Sequence, residues 1–204
     1  MTVPDGRRSR SDIPAEVIAA SRKNFLHFGV SRTTMADIAR AVGIPRQTLY
    51  SYVSSREDLV DAVLVRRIQE IADDIKPAST ARRSFEDAFV ETSLAAVDKA
   101  RNDPELMNIF TTGLADRVRD VVTGDFPEIH AIVANLLGPI FDRGDEAGVL
   151  RTDKTRDEIV DWIRVVYLAL INQPHGNAEQ EKAYVADFLL PSIMFSRKRT
   201  TKRG

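Results

Sequence analysis

The chain has 204 residues, 29 basic against 30 acidic side chains, a net charge of −1 and no cysteine. That length supplies ample core for one large domain or two smaller ones. Near neutrality argues against massive nonspecific nucleic-acid binding. Disulfides and thiolate chemistry are excluded. No apolar run is long enough to span a bilayer, and the polar, arginine-rich start is no signal peptide, so a cytoplasmic protein is expected. The charge is uneven: residues 1–60 hold nine Lys/Arg against six Asp/Glu. Apolar residues recur at helical spacing throughout and no strand pattern is found, which predicts an all-α fold.

Residues 1–12 carry Arg7, Arg8 and Arg10 and almost nothing apolar. They read either as a solvated tail or as a basic arm able to touch phosphate. The first helix is predicted from Ile13 or Pro14 to Phe28, with Asp12 as its cap and Gly29 as its stop. Val17, Ile18, Phe25, Leu26 and Phe28 are expected to face inward, and His27 is read as a surface or half-buried residue. Thr33 is read as the N-cap of a second helix, whose inner stripe is Ile38, Ala39 and Val42. Gly43 ends it, because glycine adopts the left-handed conformation at little cost. Pro45 then opens a third short helix, where its missing N–H loses nothing. Leu49 faces inward; Arg46, Gln47, Thr48, Tyr50 and Ser51 face outward.

Two short helices about a glycine turn make a helix-turn-helix, whose second helix can lie in a DNA major groove. Arginine pairs bidentately with guanine and glutamine with adenine, which suits Arg46 and Gln47 to that groove. Two core helices of an ordinary bundle, with a merely solvated polar face, would show the same apolar pattern. The next helix begins at Ser54–Asp58, where Ser54 and Glu57 have capping-box spacing. It continues through Leu59, Val60, Val63, Leu64, Ile68 and Ile71 to about Ile75, before a break at Lys76–Thr80.

The run from 14 to 64 resembles the DNA-binding domain of the TetR family of bacterial regulators. The resemblance rests on Thr33, Thr34, Ile38 and Ala39, on Ala41-Val42-Gly43, on Leu49-Tyr50-x-Tyr52-Val53, and on Arg56-Glu57-Asp58-Leu59. It implies a DNA-contacting set of Thr33, Thr34, Arg46, Gln47, Thr48, Tyr50, Ser51, Tyr52 and Arg56. Of these, Tyr50, Tyr52 and Arg56 would meet phosphate. Core packing is the other reading of Tyr50.

Further helices are predicted at about 81–100 (Phe85, Phe89, Leu94 and Val97 inside), from Pro104 (Leu106, Met107, Ile109, Phe110, Leu114), and at 128–142, kinked at Gly138-Pro139. A ragged end at 144–148 and an extended connector at 149–153 lead to the most apolar helix, 157–172. The last helix, 178–195, is expected to turn Tyr184, Val185, Phe188, Leu189 and Ile193 inward despite Pro191. A helix apolar nearly all round must be covered on every side. The resemblance implies that 157–172 and 178–195 form a two-fold, four-helix homodimer interface; a monomer with a buried central helix is the other reading. The basic tail 197–204 could add nonspecific phosphate contacts, but its place at the far end of the helical domain favours a solvated tail.

No catalytic set is found. His27, His130 and His175 fall in separate segments, and no metal-ligand or phosphate-loop spacing occurs. No enzyme activity, metal or cofactor is expected. The resemblance implies a small-molecule effector among the helices after residue 80, with Phe85, Phe89, Met107, Phe110, His130, Trp162, Arg164 and Tyr167 as candidate lining. Each is equally a core residue. Arg164, a lone charge in an apolar run, could snorkel, pair with an acid across the dimer, or anchor an anion. The expected organisation is a basic arm (1–12), a three-helix DNA-binding head (13–58), a helical effector and dimerisation part (59–196, with 59–75 as linking helix) and a tail (197–204). The expected function is a repressor that binds a near-palindromic operator in double-stranded DNA and is released by its effector. The alternative is a helical ligand-binding or protein-interaction module that does not read DNA.

Overall fold

The computed structural model describes residues 13–80, 84–111, 126–174 and 176–195. The basic arm, the Asp12 cap, Leu114, His175 and the basic tail lie outside them, as does the side chain of Phe110. The described residues are helical apart from turns and one isolated antiparallel bridge between Leu150 and Met194. In chain order the elements are α1 (Ala15–Phe28), α2 (Met35–Val42), α3 (Arg46–Tyr52), α4 (Arg56–Ser79), α5 (Phe85–Arg101), α6 (Pro104–Thr111), α7 (Pro127–Glu146), α8 (Arg156–Asn172), α9 (Ala178–Tyr184) and α10 (Leu190–Ile193). A π-helical turn, Val185–Leu189, joins the last two.

The chain divides into two compact units. The first runs to Ile68 and also takes in the segment that begins at Asp103; the second holds Gln69–Asn102 and the rest. In the first, Val17, Phe25, Ile38, Leu49, Leu59 and Val63 make the core. Two charged ties hold α6 in this unit. Arg22 of α1 forks onto Glu105 with both bonds at 2.8 Å. Arg67 of α4 donates to Asp103 at 2.9 and 2.6 Å. The other oxygen of Asp103 accepts the Leu106 N–H at 2.8 Å, capping α6. Paired acids such as these remain buried because their charge is met by fixed donors.

In the second unit α5 packs against both α7 and α8. The interior comprises Phe85, Phe89, Leu137, Ile140, Phe141, Ile163, Leu189 and Ile193. Thr155 starts α8 with a capping box to Glu158, and Arg156 bridges Asp142 and Asp145 at the end of α7.

Several expectations are corrected. Leu26 and Phe28 are exposed: Leu26 lies about 100° round the helix from Phe25, and Phe28 is its last residue. The cap of α2 is Thr34, not Thr33. At α4 the Ser55 hydroxyl, not that of Ser54, accepts the Asp58 N–H. This helix runs through Pro77 to Ser79. Proline removes only one intrahelical bond, and the Thr80 N–H still reaches the Lys76 carbonyl. The helix expected from 81 begins at Phe85, capped by Ser84. That expected to end at 142 continues through Gly138-Pro139 to Glu146. The last helix is interrupted: the Leu190 N–H reaches back five residues to Val185, immediately before Pro191, which has no N–H to give. Val185, Leu189 and Ile193 stay inside, while Phe188 is turned out.

Candidate nucleic-acid interface

The reading element is built from local rules. Thr34 accepts the Asp37 N–H through its hydroxyl at 3.3 Å, while the Asp37 carboxylate accepts from the Thr34 N–H at 3.1 Å and its hydroxyl at 2.6 Å. This reciprocal box satisfies otherwise orphaned donors at the start of α2. The Thr34 hydroxyl first, and then its backbone N–H, hold the Asp37 carboxyl below its ordinary range. At the other end Gly43 is left-handed (φ 79°), so its N–H reaches Arg40 and the Ile44 N–H reaches Ala39. The chain then turns through Pro45 into α3.

Leu49 is fully buried and pins α3 to its unit. With that position fixed, helical periodicity turns Arg46, Gln47, Tyr50 and Ser51 outward, and Thr48 and Tyr52 lie half-buried. Tyr50 is 41% exposed, which removes the core-packing reading. The Arg46 guanidinium lies over the Tyr50 ring, 5.3 Å from its centroid, and donates to its hydroxyl at 3.0 Å. Ser51 donates to the Thr48 carbonyl.

One residue of the expected set does something else, and another has internal partners as well. Thr33 is 2% exposed and has no surface to offer a phosphate. Its hydroxyl donates to the Gly29 carbonyl at 2.8 Å, so it supports the α1–α2 turn from within. Arg56 donates to the Val30 and Ser31 carbonyls at 3.3 and 3.2 Å, and to Glu57. It fastens the first turn of α4 to the loop after α1 and remains partly exposed.

The effector candidates separate into groups. Phe85 and Phe89 stack with centroids 6.2 Å apart. Tyr167 donates to the Ser93 hydroxyl at 2.8 Å, and Ser93 donates to the Phe89 carbonyl at 2.7 Å. Ser93 and Tyr167 are buried where α5 meets α8, and burial raises the Tyr167 phenol above its ordinary value, whereas Phe85 lies against Gly144 of α7. His130 of α7 lies between two α8 carboxylates, with Nδ1 2.9 Å from Asp161 and Nε2 3.3 Å from Asp157. Arg164 does not snorkel: its side chain is buried and donates to Asp161 of its own helix at 2.9 Å. Trp162 is exposed, donates to the Ser192 hydroxyl, and lines an open groove of about 330 Å³ with Arg151, Lys154 and Ile159. Met107, half-buried, and Phe110 both belong to α6, in the first unit, whereas the other candidates belong to the second.

Residues 17–63, which hold the whole of α2 and α3, match the family model for bacterial regulatory proteins of the tetR family. Along most of its length the chain is similar to the HTH-type transcriptional regulator AlkX of Mycobacterium tuberculosis, 24% identical over 93% of this chain and 89% of that one. The chain belongs to the TetR family of transcriptional regulators. TtgR of Pseudomonas putida is 31% identical over 98 residues, 44% of this chain and 47% of TtgR. Among solved structures, RolR in complex with resorcinol aligns with a TM-score of 0.67 at 18% identity, over 90% of this chain and 88% of RolR. The TetR-family repressor AlkX of Dietzia sp. aligns at 0.61 and 20% identity, over 87% and 93%. These likenesses carry the TetR fold, an N-terminal helix-turn-helix followed by a helical domain. Among the described residues of this TetR-family chain no helix is long and apolar enough to cross a membrane, and no group of three or more His, Asp or Glu is placed to hold a metal ion.

The partners Ser93, Asp157, Asp161 and Asp37 were missed in the sequence. Ser93 follows Phe89 by four residues and so shares its face. Asp37 follows Thr34 by three, a capping-box spacing with aspartate in place of glutamate.

Proposed function

We propose that this regulator binds a near-palindromic operator in double-stranded DNA as a homodimer and is released by a small apolar or amphipathic effector. One observation carries the reading: Arg46 and Gln47 stand outward on a helix that Leu49 and the Gly43 turn hold in place. The DNA-contacting face comprises Thr34, Arg46, Gln47, Thr48, Tyr50, Ser51, Tyr52 and Arg56, within a head of residues 13–58. Thr33 acts from inside it.

The dimer runs through 157–172 and 178–195. In support, Trp162, Phe188 and Phe195, the large apolar side chains exposed among the described residues of the second unit, all fall within these segments. Exposed apolar surface concentrated in this way marks an interaction face. The effector part is 59–196, where Phe85, Phe89, His130, Trp162, Arg164 and Tyr167 are the candidates. RolR holds resorcinol, and the Dietzia repressor is implicated in n-alkane biodegradation. Both are small ligands or substrates of the apolar or amphipathic kind proposed here. The effector acts by favouring a state of the dimer whose heads no longer fit successive major grooves.

Selection of bound genomic fragments by the full chain at physiological salt tests the reading. A single near-palindromic motif is expected. Arg46→Ala should relax preference at one base pair of each half-site, by about 1–3 kcal/mol. Arg56→Ala should weaken all sequences alike. Salt-sensitive binding with no enriched motif would replace this reading with that of a helical interaction module.

A further inference from the structure

We propose that Tyr50 is a positioning residue for sequence reading: it holds the Arg46 guanidinium ready for a base edge before DNA arrives. The inference rests on the reading of α3 given above.

Tyr50 follows Arg46 by four residues, so the two side chains share one strip of the helix surface. The guanidinium carbon lies 5.3 Å from the ring centroid, within the range where a cation is attracted to an aromatic face. The Nη2–H···Oη bond at 3.0 Å fixes its direction as well as its distance. Both side chains are solvent-facing. The latch uses one of the five N–H donors that arginine carries. A bidentate pair with guanine O6 and N7 needs two, so the held side chain can still read a base.

An unrestrained arginine on a surface helix samples many rotamers, and DNA binding would have to freeze them. A stacked one has lost much of that freedom already, so more of the base contact appears as discrimination. A tyrosine that met phosphate alone would contribute equally to every sequence. The two roles therefore separate in the sequence preference, not in the affinity.

The experiment compares the full-length protein with Tyr50→Phe, Tyr50→Leu, Arg46→Ala and the double variant Arg46→Ala/Tyr50→Leu. Each is presented with a randomised half-site library, and salt dependence is measured on the best site. The expected pattern has four parts. Arg46→Ala flattens preference at one base pair, by about 5- to 150-fold. Tyr50→Leu flattens the same base pair by about two- to fivefold. Tyr50→Phe, which keeps the ring and loses the hydroxyl, falls between wild type and Tyr50→Leu. The double variant matches Arg46→Ala, because a latch has no effect without the group it holds.

Three results would overturn the inference. Uniform weakening in Tyr50→Phe, with preference intact and the salt slope unchanged because the lost hydroxyl carries no charge, would make Tyr50 a phosphate contact. Tighter binding by Tyr50→Leu would make the stack a restraint on Arg46. An unchanged preference would leave the pair without a role. If wild type itself enriches no motif, the DNA reading fails and this inference with it; a motif that Tyr50→Leu leaves intact sinks this inference alone.

Discussion

Gly144 offers the sharpest test of the packing in the second unit. A Cβ added there would lie 2.8 Å from both Cδ2 and Cε2 of Phe85, and 3.3 Å from the Leu150 Cβ. Phe85 is the first residue of α5; it is buried and stacked on Phe89, so its ring has little room to withdraw. Overpacking of this kind costs about 1–3 kcal/mol. Gly144 lies in the last turn of α7, so alanine there returns at most about 1 kcal/mol of helix propensity. Gly144→Ala should therefore destabilise by about 0–3 kcal/mol, against the usual sign for this exchange in a helix. The pair Phe85→Val and Gly144→Ala isolates the clash. Valine has neither a δ nor an ε carbon, so alanine introduced in that background should stabilise, by up to about 1 kcal/mol. The double-mutant cycle should then show a coupling of about 1–3 kcal/mol. Urea unfolding followed by Trp162 fluorescence reads this directly, because Trp162 is the sole tryptophan and lies in the same unit. Effects that add to within about 0.5 kcal/mol, or a Gly144→Ala that stabilises on its own, would refute the close approach of α7 to Phe85.

Two further predictions concern the corrected and the proposed surfaces. Thr33→Val should cost about 1 kcal/mol of stability, by removing the hydroxyl bond to the Gly29 carbonyl. It should leave sequence preference and operator affinity unchanged; a uniform loss of affinity across sequences would restore Thr33 as a phosphate contact. Phe188→Glu places a charge where the dimer reading requires burial, and should weaken self-association by at least about tenfold. Sedimentation equilibrium measures it, with helical circular dichroism unchanged because Phe188 is exposed in the monomer. An unaltered dimer would move the interface elsewhere.

The helix-turn-helix was legible because glycine and leucine each have one strong local meaning there. Gly43 is left-handed and Leu49 is inside, as the spacing required. Where two residues could play one part, pattern alone chose badly. Thr33 and Thr34 can both cap a helix, and the choice fell to Asp37, three residues beyond Thr34. Apolar character misled at Leu26, Phe28 and Phe188, since apolar residues need not be inside. Charge misled at Arg164. It falls four residues after Val160 and three before Tyr167, both buried, so helical spacing placed it on the inner face of α8. The register change at Val185–Leu189 carries no comparable signature; only Pro191 hinted at it.

The discontinuous make-up of the first unit bears on how regulators of this kind can be recombined. A chimera that grafts this head onto a foreign effector domain would naturally be cut near the end of the family match, at residue 63. Such a cut leaves behind Arg67, Asp103 and Glu105, and strands Arg22 without the carboxylate it grips. The transplantable piece is instead two stretches of chain, one ending at Ile68 and one starting at Asp103. Any donor scaffold must therefore supply an acid at the start of its own sixth helix, or the graft loses the fork by which Arg22 grips Glu105.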